Sequence, residues 1–292
     1  MDGQQTLSLT QLYNLLTIDN EDGEFFTSTI DFLKNDFNAD FLSVIEEYLK
    51  DGGDYDNLIS AFSAKCGVHK YTLDFCVMLL LCQKLYADYL QQGYSEELFA
   101  ETMRDLKYKL EECKSVYGIK GTFVVRWFKR FFLLERFSLG RLQYEKVAFK
   151  YDYKHLKKGD TVYQCHIPSS GKLLYEDVIL SLKKAYQFYQ SELTDKILAV
   201  VCDSWLLYPP HAKAFSEQSN IKKFYDLFDV IDTIEHDHYP DLWRVFTIPY
   251  PTQIDLLPEK SSLCKNLKDL YLSGVKAGNG FGIILFDGEK II

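Results

Sequence analysis

The chain has 292 residues, with 33 Lys and Arg against 42 Asp and Glu and a net charge of −9. Hydrophobic residues make up 47% and charged residues 26%, which excludes a disordered or collagen-like chain and suits a globular protein of one or two domains. The charge is uneven: residues 1–120 carry 10 basic against 21 acidic side chains, whereas residues 121–292 carry 23 against 21. The first part should repel nucleic acid and anionic lipid, and the second can accept an anion locally.

No apolar run approaches the ~18 residues of a membrane span. Met1 to Gln5 lack the basic and apolar regions of a secretion signal, so a cytoplasmic location and no membrane partner are the expectation. Seven cysteines, an odd number, sit mostly inside apolar patterns, as reduced core thiols do. No Cys-x-x-Cys or His-x-x-x-His occurs, and no metal is expected.

Residues 1–120 read as helices. The segments 8–18, 26–35 and 40–51 place apolar residues every three or four positions, each with Asp, Ser or Thr near its start. Gly67 and Gly93 close the next two helices, and the second of these, 69–93, is apolar nearly all round, as the central helix of a bundle would be. Ser95 with two following Glu opens a further helix that runs to Gly118. This half holds no catalytic constellation.

Residues 122–140 interleave Arg126, Lys129, Arg130 and Arg136 with Trp127 and several Phe. Such a pattern could serve single-stranded nucleic acid or a membrane surface. In a chain this acidic, an inter-domain helix with buried rings and solvated cations is the better reading, and no nucleic-acid partner is expected. The expected domains are therefore 1–138, helical, and 139–292, mixed α/β.

From Gly140 the period becomes two. "GRLQYEKVAFKYDY" and "DTVYQCHIP" alternate around a turn at Lys157 to Asp160. A helix is expected at about 174–193, then the strand "KILAVVCDSWLL" and a helical region 211–228 with Asn220 as its cap. "DVIDTIEHDHY" and "LWRVFTIP" read as two more strands, and a helix at about 258–273 precedes the strand "GFGIILFDG".

Several residues in this half carry candidate chemistry. Alternation puts Arg141, Gln143 and Glu145 on one strand face, where three polar neighbours would line a cavity or wet an edge. Arg141 could hold a carboxylate or phosphate, and Glu145 could accept a proton. His166, ending the next strand, is a candidate general base. Asp203 and Ser204 leave an apolar strand, with Asp203 a second acid or base and Trp205 a pocket wall. Cys202 has apolar neighbours that argue against a nucleophilic thiolate. Ser169, Ser170 and Gly171, followed by Lys172, form a small-residue turn between strand and helix, a place where backbone N–H groups can hold an anion. His236 and His238 share a strand face, but no third ligand is near, and a surface loop is the better reading.

Taken in order, "GRLQYE" (140–145), "HIPSSGKL" (166–173), "CDSWLL" (202–207) and "SNIKKF" (219–224) resemble proteins with an N-acyltransferase N-terminal domain and a GNAT-like C-terminal domain. The resemblance covers nearly the whole chain. It implies a helical bundle followed by a mixed-sheet α/β domain, and transfer of an acyl group from acetyl-CoA or another acyl-coenzyme A to a small-molecule or peptide amine. It places the coenzyme A pyrophosphate at the 169–172 turn with Asn220 nearby, and makes Tyr225 a candidate to protonate the leaving thiolate. The Arg/Gln-x-x-Gly-x-Gly/Ala signature of ordinary acetyltransferases is absent. A non-catalytic binding or assembly module that retains the fold is the competing class, and a homodimer is compatible with either.

Overall fold

The computed structural model describes residues 7–50, 52–238, 242–249 and 253–292. The chain forms two compact units, Met1–Glu135 and Arg136–Ile292. The division lies three residues before the expected one, because Arg136 already begins a strand of the second unit's sheet.

In the first unit, side-chain caps start the helices where the sequence places them. Ser8 and Gln11 form a reciprocal capping box at α1 (Leu9–Leu16). Asp19 accepts from the Asp22 N–H at α2 (Asn20–Asp36), which is followed by α3 (Asn38–Leu49) and α4 (Tyr55–Cys66). Fifteen of the 22 residues of α5 (Lys70–Gln91) are buried, the environment its all-round apolar pattern predicts. The expected helix 95–118 is two, α6 (Glu96–Met103) and α7 (Asp105–Tyr117), broken at Arg104.

Residues 122–140 do not make one helix. A 3-10 turn (Val125–Phe128) runs into the single-turn α8 (Lys129–Phe132), and the chain then reverses at Leu134, where φ is +57°. Val125, Phe128 and Phe131 are buried, while Arg126 pairs with Asp56 and Arg130 with Glu135 at 3.2 Å. Rings inward and cations neutralised locally are a packing arrangement.

The second unit is built on a six-stranded sheet of order β1-β2-β3-β4-β6-β5. β1 (Arg136–Leu139) and β2 (Leu142–Ala148) form a hairpin whose two-residue loop is Gly140-Arg141. Gly140 has φ +82°, as a tight hairpin loop requires at its first position. β3 (Thr161–His166) pairs antiparallel with β2, and the turn between them closes where the Asp160 N–H donates to the Lys157 carbonyl at 3.0 Å. α9 (Tyr175–Tyr189) then crosses over to β4 (Leu198–Ser204), which lies parallel to β3. α10 (Pro209–Ala212) and α11 (Asn220–Tyr225) lead to the edge strand β5 (Asp229–Glu235). Ser219, not Asn220, caps α11, accepting from the Lys222 N–H at 3.1 Å.

"LWRVFTIP" is not a strand: it contains α12 (Leu242–Phe246). Neighbours Val245 and Phe246 both pack into one apolar cluster with Leu257 and Leu267, a sharing of one side that period-two alternation does not allow. α13 (Ser262–Leu272), capped by Ser261, completes that cluster, and β6 (Gly278–Phe286) fills the sheet between β4 and β5.

The two sheet faces differ. α9 covers one: its Ser181 hydroxyl donates to the Leu139 carbonyl at 2.6 Å and accepts from the Leu142 N–H at 3.0 Å, and Tyr163 packs on Tyr189 with ring centroids 4.3 Å apart. On the other face, Phe149, Val162, Val201, Phe281 and Ile283 cluster under Tyr151, Tyr153 and Leu156 of the β2–β3 connection. Along β2 and β3 that second face then turns polar.

Candidate functional site

The polar end of this face is assembled by strand register. Glu145 lies opposite Arg136 on one side and Gln164 on the other, while Gln143 lies opposite Ser138 and His166. Residues directly opposite in an antiparallel pair share a face, so the hairpin brings Arg136, Gln143, Glu145 and His166 together. Arg136, Gln143 and Glu145 are buried, at 5%, 1% and 4% exposure.

Glu145 is held at both oxygens. Oε2 accepts from Arg136 Nε at 2.9 Å and Nη2 at 2.8 Å, and Oε1 sits 3.1 Å from His166 Nε2. Burial pushes the Glu145 carboxyl upward, but the His166 bond and the Arg136 charge together outweigh it and hold the group below the ordinary glutamate range. An ionised carboxylate accepts only, so His166 Nε2 is the donor in this pair. Glu145 thus orients the ring.

The strands around His166 part at the same level. β3 and β4 are paired at Tyr163↔Val200 and Gln164↔Val201 and no further, although β3 continues to His166 and β4 to Ser204. Past that point their facing backbone groups can pair with an inserted chain. Cys165 and Cys202 follow the last pair, both buried on the α9 side. A hydrogen bond in which the Cys202 thiol donates to Cys165, together with burial, pushes that thiol well above its ordinary range, which argues against it as a nucleophile.

The small-residue turn has a different construction from the one its sequence suggests. α9 begins at Tyr175, so Ser169 to Lys172 are not its first turn. Instead Arg141 reaches beneath the turn, donating from Nη1 to the Pro168 carbonyl at 2.9 Å, from Nη2 to Gly171 at 2.9 Å, and from Nε to Lys172 at 3.0 Å. Carbonyl and N–H point oppositely within a trans peptide, so the N–H groups of Lys172 and Leu173 face away from the guanidinium. Gly171 has φ +117°, a backbone state that L side chains rarely adopt, yet a Cβ there would meet nothing within 4 Å. Ser169, Ser170, Gly171 and Lys172 are all exposed. Arg141 therefore braces the turn.

The remaining candidates are spread across the unit. Asp203 is exposed at the end of β4 and accepts from Asn279 Nδ2 at 2.9 Å. The Ser204 hydroxyl accepts from the Leu206 N–H at 3.2 Å, and Trp205 packs against Phe215, His211 and the α12–α13 cluster. Asn220 is the first residue of α11. Tyr225 lines a cavity of 780 Å³ with Tyr153, Pro209, Phe228 and β5 residues. In the sheet, β4 and β6 lie between β5 and β3. His236 follows β5 with its N–H donating to the Ala277 carbonyl, and His238 is exposed; among the described residues no group of three metal-ligating side chains occurs.

Arg136 is the participant that the sequence pattern concealed. Its signal was present: Arg136 and Glu145 stand symmetrically about Gly140-Arg141, as a two-residue hairpin would place partners.

Comparison with known proteins follows the same two-part division. The family described as N-acyltransferase N-terminal domain matches residues 8–134, and the GNAT-like C-terminal domain matches residues 136–284. No curated protein matches the chain. Among solved structures, an acyltransferase in complex with decanoyl-CoA and teicoplanin is 18% identical, with 97% of this chain and 90% of that one covered and a TM-score of 0.73. A mutant acyltransferase in complex with octanoyl-CoA gives the same identity, coverage and TM-score. An acyltransferase in complex with decanoyl-CoA is 20% identical over 94% of this chain and 86% of that one, with a TM-score of 0.71. At these identities the likeness is one of fold. The chain belongs to the family that joins an N-acyltransferase N-terminal domain to a GNAT-like C-terminal domain.

Proposed function

We propose that the protein transfers an acyl group from an acyl-coenzyme A to the amine of a small-molecule or peptide acceptor. The observation that carries this reading is the Arg136–Glu145–His166 chain standing where β3 and β4 part. The similar solved structures hold decanoyl-CoA or octanoyl-CoA, and one holds teicoplanin beside decanoyl-CoA, which supports a thioester donor and a sizeable acceptor.

In this mechanism the pantetheine arm of the donor lies along β3 and β4 where their ladder ends. The N–H groups of the 169–172 turn, with Lys172 beside them, take the phosphates, and Asn220 borders the donor. Asp203, Ser204 and Trp205 form the acceptor side at the end of β4. His166 Nδ1 takes a proton from the amine as its nitrogen attacks the thioester carbonyl carbon, while Glu145 steadies the imidazolium. When the C–S bond breaks, the imidazolium returns the proton to the coenzyme A thiolate, leaving an amide and a free thiol. Tyr225, the other candidate acid, lines the cavity along β5 and is not needed for that balance.

Thermal melts with decanoyl-CoA and coenzyme A test the donor assignment. A ligand at 100 times its dissociation constant adds roughly 2.7 kcal/mol of stability and shifts the midpoint visibly. No shift with either at millimolar concentration would replace the enzyme reading with that of a binding or assembly module.

A further inference from the structure

Gln143 is 1% exposed, and among the described residues neither its Oε1 nor its Nε2 has a hydrogen-bond partner. A primary amide desolvated at both ends is a cost that folding alone does not repay. The neighbours do not relieve it: Glu145 spends its two oxygens on Arg136 and His166, and His166 Nε2 is turned to Glu145. An apolar side chain of the same length would sit in this position more comfortably. The amide therefore has a use beyond the packing of the fold.

Its position indicates the use. Gln143 lies directly opposite His166 in the β2–β3 register, on the same face, one strand over from where β3 and β4 part. We infer that Gln143 is the residue that reads the thioester: Nε2 donates to the thioester carbonyl oxygen, and Oε1 accepts an N–H of the attacking amine. The two groups of the reacting centre, a carbonyl oxygen and an N–H, become attached to the same carbon on attack. The amide offers the complementary donor and acceptor side by side, also on one carbon. As the carbonyl oxygen gains negative charge, the Nε2 bond strengthens, so the contact favours the transition state over the bound donor.

This inference rests on the acyl-coenzyme A reading and adds to it a residue that distinguishes the thioester from the free thiol. Gln143→Met keeps the length of the side chain and removes both hydrogen-bonding groups. Wild type and variant are titrated calorimetrically with decanoyl-CoA and, separately, with coenzyme A, which has no thioester carbonyl. The variant should bind decanoyl-CoA about tenfold more weakly, the scale of one lost hydrogen bond, and bind coenzyme A within about twofold of wild type. Without ligand its melting midpoint should equal or exceed that of wild type, because an orphan amide has been removed. Equal weakening toward both ligands would assign Gln143 to the pantetheine arm and overturn the inference, as would no weakening at all. A markedly lower midpoint, or failure to fold, would show that the amide is already satisfied and overturn it too. Should wild type bind neither ligand, the acyl-coenzyme A reading itself falls, an outcome distinct from wild type and variant binding both ligands alike.

Discussion

Arg136→Met removes the cation from one side of a buried carboxylate and leaves Glu145 with His166 alone. Both members of the Arg136–Glu145 pair are about 5% exposed, so water cannot take over the lost contact. Breaking a buried pair by removing one partner costs about 3–5 kcal/mol, and the surviving His166 contact argues for about 3. For a unit of this size that is a fall of about 6–12 °C in melting midpoint near neutral pH. The sign with pH follows from Glu145. In wild type its folded pKa is depressed, so its stabilisation is complete above the unfolded value of about 4.3 and disappears as pH falls through the folded pKa. In the variant the Arg136 charge no longer lowers it, so the folded pKa rises and less of that stabilisation remains at neutral pH. The difference between the two proteins should be largest near pH 7 and close toward about pH 4. Melts of wild type, Arg136→Met and Arg136→Met with Glu145→Gln across that range supply the measurement. The double variant should recover most of the loss, since it buries no unpaired charge. A deficit that is constant with pH, with no recovery in the double variant, would refute the electrostatic account and leave Arg136 as packing.

Three further outcomes are expected. Glu145→Gln should bind decanoyl-CoA nearly as well as wild type but slow transfer by about 10- to 100-fold, because it loses the charge that steadies the imidazolium; an unchanged rate of coenzyme A release with acceptor present would remove Glu145 from the mechanism. Gly171→Val should weaken coenzyme A binding strongly, since a β-branched residue at φ +117° must remodel the turn, whereas exposed Lys172→Ala should weaken it about two- to threefold in calorimetric titration. Equal effects of these two variants would mean that charge alone, and not the shape of the turn, holds the phosphates. Arg126→Ala with Arg130→Ala should leave single-stranded DNA or RNA binding unchanged, because both cations are already neutralised by Asp56 and Glu135; wild-type binding tighter than about 1 µM that falls steeply with salt and vanishes in the double variant would contradict this.

The helices of the first unit and most strands of the second were legible because their signals are local. Ser8, Asp19 and Ser95 cap within three residues, Gly67 closes α4 in the left-handed conformation, and the alternation along β2 and β3 and the short apolar runs of β4 and β6 depend on near neighbours. The family was legible for the same reason, since its four motifs are short and contiguous. Single-sequence pattern misled where apolar spacing fits two periods, as in α12, and where a basic-aromatic run conceals a turn at Leu134. What only the tertiary structure decided is which polar groups satisfy one another. Arg141 shares a strand face with Gln143 and Glu145 in the sequence pattern, yet it braces the 168–172 carbonyls from 27 to 31 residues away. Arg136, grouped by composition with a cationic segment, instead neutralises Glu145 across a hairpin. Gln143, indistinguishable in sequence from its polar neighbours, finds no partner for either amide atom among the described residues. Propensity and capping act along the chain, whereas hydrogen-bond partnership is settled by strand register and loop closure, and a shift of one residue in register would have turned all of these side chains to the opposite face.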